Sequence, residues 1–272
     1  MSTQHPAIPV LMYHHVNPEG NFINVSPETF ELQMRYLKDK GFTAVHADEL
    51  SDILSGKISA PRKPVMITFD DGWLDNWVFG FPVLKRFGMK AVIFLITSRL
   101  ARQGIRLRSD QGRADALPTH RESAALVENG RADEVMLSWD EVAAMKASGL
   151  VEFHSHTHTH QRWDKLMPDR SRRNEALRND LRAAKEILEG RGLGGSCLCW
   201  PQGFYDDDYL SLADSLGYKM LFTTEAGAND SVETLQRIKR VVIGNISTLS
   251  FAKKLFIYSR PWLSRAYLTY FK

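Results

Sequence analysis

One unit recurs along this chain: an amphipathic helical stretch, a glycine, then a short apolar run rich in β-formers. It occurs at MRYLKDKGFTAV, LKRFGMKAVIFLI, AAMKASGLVEFHSH, GRGLGGSCLCWP and LADSLGYKMLFTT. Gly41, Gly88, Gly149, Gly195 and Gly217 stand where a helix C-terminus needs left-handed backbone. Helix starts are marked as well, by Ser26-Pro27 as N-cap and first-turn proline, and by Ser138 with Glu141 as a capping box. Helix–strand alternation predicts an α/β fold with a mainly parallel sheet. The runs PVLMYHHV, PVMITF, AVIFLI and LVEF are near-continuous rather than alternating, which suits strands covered on both faces. An open sheet and a barrel both satisfy this pattern, and both place chemistry at the C-terminal strand ends.

The 272 residues are enough for one sizeable core. A single domain is expected over 1–250, interrupted at about 99–135 by an Arg-rich stretch poor in apolar residues. That stretch reads as an irregular surface excursion over the strand ends, with one short helix. The last segment, 251–272, reads as a basic aromatic tail. It carries Lys253, Lys254, Arg260, Arg265 and Lys272, with Phe256, Tyr258, Trp262, Tyr267, Tyr270 and Phe271 interleaved and no acidic residue. Such a tail suits either a final helix packed on the domain or docking on an anionic membrane surface, where a lipid-linked sugar would be presented. A net charge of +3 gives no reason to expect nucleic acid. The N-terminus lacks a basic start followed by an apolar run, so the expected location is cytoplasmic, peripheral on the inner membrane if the tail docks. Cys197 and Cys199 lie two residues apart in a strand-like run, poorly placed to bridge.

Chemistry concentrates at four strand ends. TFDDG at 68–72 closes an apolar run with adjacent carboxylates, Asp70 and Asp71. Two like charges so close raise a pKa or call for a cation, and a metal ion resolves the conflict by binding one and leaving the other as a base. Alone, the same residues would serve as a turn or helix cap. EFHSHTHTH at 152–160 brings His154, His156, His158 and His160 to another strand end, and imidazole is a preferred zinc ligand. Spacing does not choose among them, because His154–His158 and His156–His160 are equivalent. LCWPQGFYDDDY at 198–209 adds a Pro-x-Gly loop able to present backbone N–H groups to an anion, and LMYHHV places His14 and His15 at the end of the first run.

Taken together, in order over roughly 10–225, these motifs resemble the polysaccharide deacetylase family of carbohydrate esterases. The resemblance extends to SPETFELQMRYLKDKGF, KAVIFLI, LSWDEVAAMKASGL and WPQGFYDDDYLSLADSLGYKMLFTT. It implies a distorted (β/α) barrel with a metal at its C-terminal mouth. It also implies Asp70 as catalytic base, and Asp71, His156 and His160 as metal ligands through the family's Ser-His-Thr-x-x-His element. His154 and His158 then become outer or rim residues. By the same resemblance the backbone near Gln202 stabilises the oxyanion, and Gln202 and Trp200 face the substrate.

Two positions depart from the family. An arginine that braces the base commonly stands two residues before the motif proline. Here that position is Cys199, and no residue is assigned the task. No histidine follows His160 to act as late general acid. One branch, resembling the biofilm poly-N-acetylglucosamine deacetylases, carries its acid histidine in a Tyr-His element on the first strand, which implies His14.

The implied activity is hydrolysis of the N-acetyl group of an N-acetylglucosamine-like sugar in a bacterial polysaccharide, lipopolysaccharide precursor or lipid-linked glycan. The cofactor would be one divalent ion, Zn2+ first, with Co2+, Ni2+ or Fe2+ as substitutes. Rival readings are an amidohydrolase for a non-sugar N-acyl amide, an acetyl-ester hydrolase, and a glycan-binding pseudoenzyme for which the missing arginine is the main support.

Overall fold

The structure, a computed structural model, describes residues 7–19, 23–113 and 116–271. The chain opens with β1 (Val10–Tyr13), β2 (His15–Val16), β3 (Asn24–Val25), α1 (Pro27–Asp39), β4 (Thr43–Ala44), α2 (Ala47–Leu54) and β5 (Pro64–Phe69). Then α3 (Phe81–Phe87) leads to β6 (Ala91–Leu95), and α4 (His120–Glu128) and α5 (Trp139–Ala147) lead to β7 (Val151–Ser155). Next come α6 (Trp163–Leu166), α7 (Arg170–Gly190), β8 (Cys197–Cys199), α8 (Asp207–Ser215) and β9 (Met220–Phe222). The chain finishes with β10 (Val241–Val242), α9 (Thr248–Tyr258) and α10 (Pro261–Phe271).

The strands lie in the order β10-β1-β5-β6-β7-β8-β9, with β4 beside β5 and every pair parallel. A parallel bridge from Phe222 to Ile238 starts the return from β9, and Val241 then pairs with Leu11 of β1. The sheet thereby curls into a partial, distorted barrel, the architecture the alternation alone left open.

Period-2 alternation decides what each strand residue meets. Leu11, Tyr13, Ile67, Phe69, Ile93 and Phe153 face outward onto helical residues such as Phe30, Met34, Met145 and Phe251. Val10, Met66, Val92, Phe94, Cys197, Cys199 and Phe222 fill the barrel interior as a second cluster. A third lies outside β8, where Leu198 meets Leu177 and Leu181 of α7 and Leu212 of α8.

The caps follow the sequence with one exception. Ser26 accepts from the Thr29 amide, and Ser138 and Glu141 form the reciprocal box. Gly41, Gly88, Gly149 and Gly217 take positive φ, but the left-handed position after α7 falls to Gly192 rather than Gly195. The 99–135 stretch holds α4 and two short 3₁₀ turns, Ser109–Gln111 and Ala132–Glu134. It is pinned by Arg106, which pairs with the fully buried Glu141 of α5 at 2.6 Å and donates to the Met136 carbonyl at 2.7 Å.

The separate tail expected from 251 does not begin at a structural boundary. Helix α9 starts at Thr248 and buries Phe251, Leu255, Ile257 and Tyr258 against the main core, and α10 continues from it. The side chain of Phe271, and Lys272, lie outside the described residues. Among the described residues no helix is long and apolar enough to cross a membrane.

Candidate active site

The interior columns of the barrel deliver the polar residues to its mouth. Val10, Met12 and His14 share one column; Met66, Thr68 and Asp70 a second; His154 and His156 a third; Cys197 and Cys199 a fourth. Each strand stops at Tyr13, Phe69, Ser155 or Cys199, so His14, Asp70 and His156 sit just past the last rung. His154, two residues deeper, is buried inside the barrel within 3.5 Å of Glu152. Depth thus separates two histidines that spacing could not, and His154 belongs to the interior rather than the rim.

Asp71, His156 and His160 converge. Oδ1 of Asp71 lies 3.5 Å from Nε2 of His156 and 3.7 Å from Nε2 of His160. Ligand atoms about 2.0–2.1 Å from a tetrahedral ion stand roughly 3.3 Å apart, so this spacing admits one. The tautomer is fixed as well: a carbonyl only accepts, so Nδ1–H of His156 donates to the Cys199 carbonyl at 2.8 Å, leaving Nε2 with its lone pair inward. Burial, then the neighbouring His156, lowers the His160 pKa to about 4, so its ring is neutral and able to ligate at neutral pH. Oδ2 of Asp71 accepts from the Trp73 indole at 2.9 Å, which orients the carboxylate and leaves Oδ1 free. Although burial pushes Asp71 up, the histidines outweigh it and hold the group far below the ordinary carboxylate range.

The backbone here is strained in a way that serves the cluster. Asp71, Thr157 and His160 all have positive φ, at 73°, 64° and 61°. Non-glycine residues adopt such angles at a cost that surrounding contacts must offset. One such contact is the His160 amide donating to Thr157 Oγ1 at 2.9 Å. Gly72 completes the turn at φ 84°, where a Cβ would come within 2.7 Å of the Leu95 side chain.

A second donor set, Asp70, His156 and Cys199, also lies close together. It is a poor cation site, because a guanidinium occupies it. Arg240 is fully buried and grips Asp70 with both arms, Nη1 to Oδ1 at 2.7 Å and Nη2 to Oδ2 at 2.9 Å. Nη2 also approaches Cys199 Sγ at 3.1 Å, and Nε donates to the Thr223 carbonyl at 2.7 Å. Burial raises the Cys199 pKa well above the ordinary thiol value, so the group stays protonated and a weak ligand. Arg240 therefore supplies the brace that Cys199 cannot. It comes from the 238–242 return segment, where nothing in the KRVVIG sequence distinguishes it from a surface cation. Burial alone would raise Asp70, but Arg240 and then His156 outweigh it and hold its carboxyl below the usual range.

His14 also approaches Asp70, with Nε2 3.8 Å from Oδ2 and the side chain 22% exposed. Burial lowers its pKa, partly offset by Asp70 and Asp71. The next residue, His15, does different work. It is buried, its Nδ1–H donates to Asp75 at 2.6 Å, and its Nε2 meets Nδ1 of His120 at 2.9 Å. Its ring also stacks on Trp73 at 4.5 Å. His120 opens α4, so the excursion reaches the indole that orients Asp71 through this chain of imidazoles. Sequence reading missed Arg240, Trp73, Asp75 and His120; only the His14-His15 pair hinted at a second role.

The remaining expected residues divide. Gln202 lies just past β8, exposed and left-handed at φ 54°, its Oε1 accepting from Arg162 at 3.2 Å. His158 stands at the rim against Thr97 at 2.9 Å. Trp200, expected to face substrate, is fully buried among Tyr209, Leu212 and Tyr218 outside β8. It belongs to the core there and offers no face to a glycan.

Comparison with known proteins points the same way. The family model described as polysaccharide deacetylase matches residues 57–221, more than half of the chain. YxkH of Bacillus subtilis, assigned to the polysaccharide deacetylases, is 28% identical over 89% of this chain and 73% of its own length. The poly-β-1,6-N-acetyl-D-glucosamine N-deacetylase of Escherichia coli K12 is 25% identical over 92% of this chain but only 39% of its own. In fold the chain is similar to the Streptococcus pyogenes deacetylase PplD in complex with acetate. The TM-score is 0.70, with 23% identity and coverage of 94% of this chain and 100% of PplD. The chain belongs to the polysaccharide deacetylase family.

Proposed function

We propose that this deacetylase removes the N-acetyl group from an N-acetylglucosamine-like sugar of a bacterial polysaccharide, lipopolysaccharide precursor or lipid-linked glycan, and that it does so with a divalent metal. The observation that carries the reading is the different surroundings of the adjacent carboxylates. Asp71 turns one oxygen to two imidazole lone pairs, while Asp70 is withheld from that set by a buried guanidinium.

A divalent ion held by Asp71, His156 and His160 would supply a Lewis acid for the acetyl carbonyl and lower the pKa of a water toward ~7. One carboxylate and two imidazoles favour Zn2+, and Co2+, Ni2+ or Fe2+ suit the same donors. Asp70, kept ionised by Arg240, takes the proton of the attacking water. The backbone N–H at Gln202, beyond the end of β8, is our candidate to share the oxyanion. His14 protonates the departing amine nitrogen, without which the amide would re-form. The name of the Escherichia coli relative supports an amino-sugar amide over a non-sugar amide or an acetyl ester. The pseudoenzyme reading loses its main support, because Arg240 fills the bracing role left vacant at Cys199.

The test is acetate release from N-acetylglucosamine oligomers, N-acetyl amino acids and an acetyl ester, before and after chelation and with metal restored. Turnover confined to the sugar amide and recovered with metal is the expected outcome. Undiminished turnover in the chelated protein would sink the metal role, and preference for the amino acids would sink the substrate.

A further inference from the structure

A cavity of about 390 Å³ lies at the opposite end of the barrel, and its wall carries Lys40, Arg62, Lys63 and Arg260 with no acidic residue. Among the described residues none of these four is paired with a carboxylate. Lys63 donates to the Lys40 carbonyl at 2.8 Å and Arg260 to the Phe256 carbonyl at 2.8 Å, so two of the side chains are held in place without being neutralised. Glu31 of the neighbouring α1 is engaged elsewhere, by Arg35 and Arg86, each at 2.8 Å. Four like charges around one concavity repel one another and focus a positive potential into it, which an anion relieves.

What surrounds the cavity decides which anion. Helix α9 supplies Phe256 to its wall and Arg260 follows in the link to α10; Phe256 is 55% exposed and Trp262, at the start of α10, 66%. A soluble phosphate requires only the cations. Phe256 lines the cavity and Trp262 follows Arg260 by two residues, and exposed aromatics so close to clustered cations suit the headgroup boundary of a bilayer. We infer that this face docks on an anionic membrane, with a lipid phosphate in the cavity and the aromatics of α9 and α10 at the interface.

Strand β5 fixes the orientation. Pro64, its first residue, lines the cavity, and Asp70 follows its last. Six steps of about 3.3 Å put the catalytic mouth ~20 Å from the docking face and pointing away from it. Docking, one of the two readings of the 252–272 segment, would then serve a different purpose. Taken with the proposed function, the sugars served are those projecting well clear of the surface, not the sugar next to the lipid.

The test is sedimentation of the full chain with phosphatidylcholine vesicles, with and without phosphatidylglycerol, at about 0.1 M salt. The variants are Arg62→Gln/Lys63→Gln/Arg260→Gln and Trp262→Ala. The parent is expected on anionic vesicles only. The triple variant should lose about a hundredfold in partitioning, roughly fivefold per cation, and Trp262→Ala should lose severalfold, with acetate release from a soluble oligosaccharide unchanged in both. Thermal melts report whether the triple variant folds; if it does not, the exposed Arg62→Gln alone should still show its fivefold loss. Equal binding to neutral and anionic vesicles, or undiminished binding of a folded triple variant, would overturn the inference. So would calorimetric binding of inorganic pyrophosphate by a protein that vesicles do not retain. Because vesicle binding needs no turnover, its failure is distinguishable from failure of the deacetylase reading.

Discussion

Replacing Arg240 by Met tests how Asp70 is kept ready, and the structure fixes both size and sign. The substitution removes two charge-assisted bonds to Asp70, at 2.7 and 2.9 Å, and strips the Thr223 carbonyl of its 2.7 Å donor. Both partners are buried, so the lone carboxylate is stranded, and breaking a buried pair in this way costs about 3–5 kcal/mol. For a chain of this size that is a fall in Tm of roughly 6–20 °C. Part of the loss depends on pH. In the parent, Asp70 is held below its ordinary pKa, so its contribution is present above about 3.9 and is lost as pH falls through the native value. Without Arg240, only His156 and His14 oppose the effect of burial, and the native pKa is expected to lie above the unfolded one. The variant is then penalised increasingly as pH rises from about 4 through that new value. Melts of metal-stripped parent and variant at pH 4.5 and 7.5 should show a deficit distinctly larger at 7.5. The acid limb of the variant's pH–rate profile should also move upward. A deficit equal at both pH values, or below about 2 °C, would refute the reasoning that Arg240 acts chiefly on the Asp70 charge.

Three further outcomes are expected. His156→Ala and His160→Ala should each abolish bound metal by elemental analysis, whereas His158→Ala should retain it and His154→Ala should lose stability but keep metal, since its ring lies below the site. His14→Ala should depress amide hydrolysis by about 10²–10⁴ while largely sparing an activated acetyl ester, whose leaving group needs no proton; equal loss on both substrates would remove His14 from the acid role. His15→Phe keeps the stack on Trp73 but leaves an Asp75 oxygen buried and unpaired, so the melt should show a loss of about 1–3 kcal/mol; an unchanged Tm would mean the imidazole chain carries no stability.

What the sequence revealed, and what it hid, follows from how each residue reaches the site. His14, Asp70, Asp71 and His156 end or follow apolar runs, so strand alternation alone brings them to one mouth. His160 needed the family element to separate it from His158, because left-handed backbone at Thr157 and His160, not spacing, turns its ring inward. Arg240 was hidden because barrel closure, a long-range event joining β9 to β1, carries it inside. His120 was hidden for a similar reason: it arrives from an excursion whose sequence shows no periodicity. Trp200 misled because it adjoins the motif proline, yet the same alternation that turns Cys199 inward turns the indole outward into the α7–α8 cluster.

The central claim is that two neighbouring carboxylates do different jobs, and it is tested most directly by metal stoichiometry and acetate release measured together on Asp70→Asn and Asp71→Asn. Asp70→Asn should hold the one equivalent of metal expected of the parent, while turnover falls by about 10²–10⁴. Asp71→Asn should lower metal affinity, because a neutral amide replaces the anionic carboxylate whose Oδ1 faces both imidazoles. Equal metal loss in both variants, or metal lost from Asp70→Asn alone, would contradict the assignment of base and ligand.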